Sequence, residues 1–203
     1  MGKNIGLIPL GFTEIWSASF NSAIIISAGD NAEFIAFCGI NLDITIFNKE
    51  NVYLPAFLKT YPFLNVEVEN KDKKVNSLIA IDNNPKYVAK DKKIFILDKE
   101  KNLSKQVATK VELIKELNSQ RAVCRRIIAE LKKLDLLIKK DLRVKIEGKE
   151  EKVILEEFYV INMEKLLKLD DKIIASFAKK GWMGIFDAHL KSIGNFEKIL
   201  KAN

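Results

Sequence analysis

The sequence predicts an α+β fold: a mostly antiparallel sheet packed on one long helix, with a C-terminal hairpin and a terminal helical group. Three observations carry this. Short apolar runs separated by turn formers fill the first half of the chain. One stretch, Leu103 to Leu137, carries helical apolar spacing with no Gly or Pro after Ser104. Strand-like alternation then returns once, around Leu142 to Leu155, before helical spacing resumes. The 203 residues read as a single domain over 1–203, strand-rich over 1–100 and helix-rich over 101–203. A chain of this length buries about 70% of the surface its unfolded form exposes, so it needs no disulfide staple.

The long stretch organises the rest. Ser104 is a suitable N-cap. Val107, Val111, Ile114, Leu117, Cys124, Ile128, Leu131 and Leu134 follow in steps of three or four, except for the seven between Leu117 and Cys124. At 1.5 Å per residue such a helix spans about 45 Å, more than the width of a domain this small. Asn118, Gln120 and Arg121 interrupt its apolar stripe near the middle.

Ile5–Leu10, Ala23–Ser27 and Phe34–Cys38 read as strands, and Asn41–Phe47 alternates as Leu42, Ile44 and Ile46. Gly29-Asp30-Asn31 and Gly39 supply the turns between them. Short strands joined by short turns imply antiparallel pairing. Within Asn51–Phe63 the sequence suits a short helix, with Pro55 in its first turn and Pro62 ending it. Leu64–Glu69 and Leu78–Ile81 are strand-like, joined by the charged turn Asn70–Lys74, and Asp82-Asn83-Asn84-Pro85 is a further turn. Ile94–Leu97 is a short strand. Beyond the long helix, Leu142, Val144 and Ile146 pair with Val153 and Leu155 across a turn at Gly148, extended by Phe158–Ile161. Met163–Leu169, Lys172–Lys180 and Trp182 onward are helical.

The net charge of +7 is uneven. Residues 1–70 hold three Lys against seven acids, a balance of −4; the remainder holds 31 basic and 20 acidic residues, +11. Only Arg121, Arg125, Arg126 and Arg143 among the 34 basic residues are Arg. Readers of bases and phosphates lean on the guanidinium fork, so a Lys-rich, Arg-poor surface reads as a solvated face and nucleic acid is not an expected partner. No apolar run is long enough to span a bilayer, and the N-terminal flank does not fit a secretory signal. The default location is the cytoplasm, with signal-less export to the cell surface left open.

A single histidine, His189, excludes metal sites built from two or three imidazoles of one chain. CxxC, GxGxxG, GxxxxGK[ST] and GxSxG are all absent. Cys38 and Cys124 lie among apolar residues and read as buried thiols, with a disulfide or a Cys–His pair as the alternatives. No catalytic residue, metal or cofactor is assigned. Composition and periodicity stop at a soluble α+β domain.

Two tracts carry a resemblance. One is Tyr53-Leu54-Pro55-Ala56-Phe57-Leu58-Lys59-Thr60-Tyr61-Pro62-Phe63; the other is Gly181 to Leu200, GWMGIFDAHLKSIGNFEKIL. Between them lie LIAID at Leu78–Asp82, Gln120-Arg121 with Cys124 on the long helix, and Phe158–Ile161. In this order, from about Ile5 to Leu200, the chain resembles the SapC family, named from a bacterial surface-layer locus. Thr60 stands where members commonly carry a basic residue, with Lys59 one earlier. The resemblance implies a non-catalytic, surface-layer-associated accessory or binding protein, with a surface-layer or export-system protein as partner. The alternative is a metal-independent enzyme using carboxylates or Arg121 near the Tyr61-Pro62-Phe63 tract. The family defines no oligomeric state and transfers no functional residue.

Six positions are the candidates for ligand or partner binding: Tyr61, Phe63, Arg121, Trp182, His189 and Asn195. Each has a plainer reading. Tyr61 and Phe63 either end a helix and plug the core or line an aromatic pocket. Arg121 pairs with a buried carboxylate, lies exposed, or binds an anion. Trp182 follows Gly181, an expected helix C-cap, and anchors the last helices. His189 shares one helix face with Trp182, Ile185, Ile193, Phe196 and Leu200, which suits a core histidine with one ring nitrogen donating and the other accepting. Gly194-Asn195 either sits within that helix or ends it and caps the next.

Overall fold

The computed structural model describes residues 6–40, 50–69, 75–82, 95–144 and 151–201. In chain order the strands are β1 (Gly6–Pro9), β2 (Ala23–Ile26), β3 (Phe34–Gly39), β4 (Phe63–Glu69), β5 (Val75–Ile81), β6 (Leu137–Val144) and β7 (Lys152–Ile161). The helices are α1 (Ile15–Ala18), preceded by a 3-10 turn at Phe12–Glu14, then α2 (Ala56–Thr60), α3 (Lys105–Lys133), α4 (Met163–Leu166), α5 (Asp171–Lys179), α6 (Trp182–Ser192) and α7 (Asn195–Lys201). The fold is α+β.

Five strands form one sheet in the order β1-β3-β2-β7-β6, and β4 and β5 form a separate two-stranded sheet; every pairing is antiparallel. The chain makes two compact units. One contains Met1–Pro55 with Gln120–Asn203, the other Ala56–Ser119. Helix α3 contributes residues to both.

In the first unit β2 is central, and its four residues, Ala-Ile-Ile-Ile, are all buried. An unbroken apolar run is what a strand covered on both faces requires. Ala23, Ile25 and Phe37 pack with Phe158, Phe196 and Ile199, so α7 closes one face of the sheet. In the second unit Phe63 packs on Val107 and Ile114, which places the start of β4 against the first turns of α3.

Helix α3 runs 29 residues without interruption through Asn118, Gln120 and Arg121. Val107, Ile114, Leu117, Cys124, Ile128 and Leu131 are buried, as their spacing requires. The helix ends at Lys133, short of the expected Leu137. Asp135 takes φ 53°. Its N–H bonds the Lys132 carbonyl, and the Leu136 N–H reaches back to Leu131 at 2.9 Å. This is a Schellman closure, with Leu131 and Leu136 both fully buried beneath it. The sequence hid it because Asp, not Gly, holds the left-handed position.

Other differences are smaller. The strand expected at Ile94–Leu97 is, over its described residues, only a bridge between Leu97 and Leu103. The helix expected at Met163–Leu169 stops at Leu166, after Asn162 caps it by accepting from Lys165 N–H. Pro55 precedes α2 instead of lying in its first turn. The strand Asn41–Phe47, the turn Asn70–Lys74, Asn83 to Pro85, Ile146 and the turn at Gly148 lie outside the described residues, as do Ile5 and Ile94.

Replacing Leu117 or Leu131 with alanine should lower the unfolding free energy by about 2–5 kcal/mol, because each leaves a cavity on the buried face of α3. Denaturant midpoints measure this directly.

Candidate functional site

Glu14 is the single charged residue between Lys3 and Asp30. It is 4% exposed, too buried to be left without partners. The 3-10 turn brings its carboxylate back onto its own backbone, where Oε2 accepts from Gly11 N–H at 2.8 Å. Oε1 accepts from the Tyr53 hydroxyl at 2.9 Å. Thr13 donates twice, through N–H and Oγ1, to Oε1 of Gln120 on α3. Gly11 makes this approach feasible: a Cβ there would stand 2.5 Å from Gln120 Oε1. One turn further along α3, the Cys124 thiol donates weakly to the Leu10 carbonyl.

A second polar group adjoins the first on α3. Glu33, at the close of the β2–β3 turn, accepts three hydrogen bonds from Arg121 through Nε and Nη2, and one from Arg125 Nη1 at 2.7 Å. The Glu33 side chain is 12% exposed and that of Arg121 23%. The turn itself closes through Ser27 and Glu33, each backbone held by the other residue. Lys132 donates to the Gly29 carbonyl and clips the same turn to α3.

The electrostatics of this cluster keep its thiol and its phenol protonated. Burial, with the nearby Glu33 and Glu14 charges, pushes the Cys124 thiol up to about 12. Burial and the Glu14 carboxylate together hold the Tyr53 phenol above its usual value. A nucleophilic thiol needs the opposite displacement. Among the described residues no three or more His, Cys, Asp or Glu side chains stand close enough to hold a metal ion, and no helix is long and apolar enough to cross a membrane.

The six positions offered by the sequence fall in different settings. Arg121 is the ion-paired residue just described. Tyr61 and Phe63 are neighbours in the second unit, around a cis Tyr61–Pro62 bond. The Tyr61 hydroxyl donates to the Asp82 carboxylate. Lys110 on α3 donates to the Lys59 and Tyr61 carbonyls at 2.6 and 2.9 Å, and burial lowers its ammonium from the usual lysine range. Phe63 belongs to the apolar core of that unit. Trp182 is half-buried, stacked on Phe177 at 5.5 Å, with the Lys180 ammonium 4.6 Å from its ring centroid. Gly181 before it takes φ 72° and both closes α5 and opens α6.

His189 is 0% exposed. Its Nε2 accepts from Ile161 N–H at 3.2 Å, which puts the proton of the neutral ring on Nδ1. Nδ1 makes no hydrogen bond of full geometry. Burial drives the imidazole down to about 4, offset in part by the Ile24 backbone nearby. Asn195 begins α7 after a break at Ile193-Gly194, and its amide donates to the Ser19 and Ser22 carbonyls at 2.7 and 3.0 Å. Sequence reasoning passed over Glu14, Glu33 and Ser192. Glu14 alone announced itself, as a lone charge in an apolar segment.

Tyr53, Gln120, Arg121 and Cys124, which carry part of the resemblance noted above, therefore meet in or beside one partly buried polar cluster on α3. The chain belongs to the SapC family, whose profile matches residues 1–199 of the 203. No curated protein and no solved structure matches it.

Gly11→Ala should destabilise the protein by about 1–3 kcal/mol, since the new methyl displaces Gln120. The cost should shrink in the Gly11→Ala/Gln120→Ala double variant, a non-additivity read from chemical denaturation. Both thiols should resist iodoacetamide at pH 8 in the native protein and react fully in urea, as mass spectrometry would show; each is buried and raised.

Proposed function

We propose that this chain is a non-catalytic accessory or binding protein associated with the surface layer, acting through protein contacts. The observation that carries the reading is the outer face of the β4–β5 hairpin. Val66 and Leu78 lie opposite each other in register, with Leu64 opposite Ala80 and Val68 one pair further along. Val66, Val68 and Leu78 are exposed by 38%, 42% and 54%. A continuous apolar strip of this kind on a two-stranded sheet favours a protein partner over a small substrate. Membership of the SapC family supports the surface-layer association in this reading.

The polar groups weigh the same way. Arg121 and Tyr61, which an enzyme reading would use, are each already bonded to an acidic partner. Cys124, Tyr53 and His189 are displaced so that none carries charge at neutral pH. In this reading a surface-layer or export-system protein is the partner, and the chain reaches it by a route that needs no cleaved signal.

The test is binding of the purified chain to isolated surface-layer and export-system proteins of the same cells. Val66→Lys/Leu78→Lys should weaken that binding at least tenfold with the thermal midpoint unchanged, since both side chains already face water. Absence of binding, or binding indifferent to the pair, defeats the reading. The reading of residues 1–203 as one domain is proposed on the sharing of α3 between both units. Calorimetry should then record one cooperative transition, with equal van't Hoff and calorimetric enthalpies.

A further inference from the structure

Strands β2 and β7 are neighbours in the sheet but pair at one position only, Ile26 with Tyr159. Past that point helix α6 supplies side-chain partners to the backbone. Ile24 N–H donates to Ser192 Oγ at 2.9 Å, and Ser192 donates in turn to the His189 carbonyl at 2.6 Å. Ile161 N–H donates to His189 Nε2. The imidazole and the hydroxyl, three residues apart on one helix face, thus stand where strand-to-strand bonds would otherwise run. Phe34 of β3 packs edge-on against the imidazole at 5.9 Å between centroids.

We propose that His189 is an acid-released latch, holding α6 in the seam between β2 and β7 while neutral and letting it go when Nε2 takes a proton. The geometry dictates the direction. Nε2 is an acceptor here, and a proton on it would set N–H against N–H at Ile161, inside a fully buried site. Release leaves the Ile24 and Ile161 amides without partners, so α6 and the two strand edges separate together.

Among the described residues of the elements packed on α6, no charged group acts on the imidazole. Strand β2 and helix α1 carry none, and β3 carries only Cys38. Lys152, Glu156, Glu157 and Tyr159 of β7, Asp171, Lys172 and Lys179 of α5, and Asp187 and Lys191 of α6 complete the set on the packed elements. None of these acts on His189, whose titration answers to burial and the Ile24 backbone alone. The sign follows. A base whose folded value lies below its unfolded one contributes full stability above about pH 6.5 and loses it as pH falls toward about 4.

Hydrogen exchange resolved by NMR tests the latch in the intact chain. His189 is the chain's one histidine, so its ring resonances report its protonation without ambiguity. Protection factors at Ile24 and Ile161 should fall about tenfold per pH unit between about pH 6 and 4.5, the window between the released ring's ordinary value and its folded value of about 4. The β6–β7 amides away from the seam, such as Leu155, should keep theirs. His189→Gln retains an acceptor but cannot titrate, and there the Ile161 protection should be flat with pH. The latch is refuted if Ile161 protection in the parent ignores pH, if it falls equally in His189→Gln, or if every core amide opens with it. Should the Gln variant fail to fold, the parent decides alone: ring protonation without selective loss at Ile24 and Ile161 refutes the proposal.

Discussion

The five-stranded sheet holds together across a place where it is barely a sheet. With one residue pair joining β2 to β7, the backbone groups beyond it would be buried without partners, at a cost of about 1–3 kcal/mol each. Helix α6 removes that cost by lending Ser192 and His189 to the seam. Asn195 then fixes the start of α7 to the Ser19 and Ser22 carbonyls just ahead of β2. Phe196 and Ile199 of α7 cover Ala23, Ile25 and Phe37. The terminal helices are therefore part of the sheet's own hydrogen bonding, as well as its hydrophobic cover.

A second constraint acts through α3. Its buried half places Gln120, Arg121, Cys124 and Arg125 on successive turns, and the segments around Gly11 and Glu33 are built to meet them. Such a network specifies geometry more than it adds net stability. The Glu33 carboxylate is desolvated, and two guanidinium groups return what that desolvation costs. Its fully bonded state also explains why residues with attractive chemistry, a thiol beside two carboxylates and two arginines, make a quiet site.

Much of this was legible in the sequence. Period identified α3 and its buried residues; alternation and turn formers identified β1 to β5 and the β6–β7 hairpin; Gly194-Asn195 is a natural place for the break between α6 and α7. What escaped notice has physical causes. The helix boundary at Lys133 was hidden because Asp135 adopts a left-handed conformation that usually advertises itself as glycine. The pairing of Glu33 with Arg121 spans 88 positions, and no local pattern encodes a partner that far away. His189 was legible as a core residue by its spacing, yet its role as a stand-in for a strand partner depends on a gap between β2 and β7 that only topology creates.

The division of the chain has a consequence for its birth on the ribosome. The unit Ala56–Ser119 is continuous, so all of it is translated before any of Gln120–Asn203. The other unit is split: β1 to β3 are translated ahead of Ala56–Ser119, but the strand that flanks β2 and the helices that plug the seam are translated after it. For that interval β2, with its run of three isoleucines, has one edge uncovered, and exposed strand edges of this composition are where nascent chains associate wrongly. Vectorial synthesis thus leaves the wholly apolar β2 with one edge bare until β7 and α6 are made.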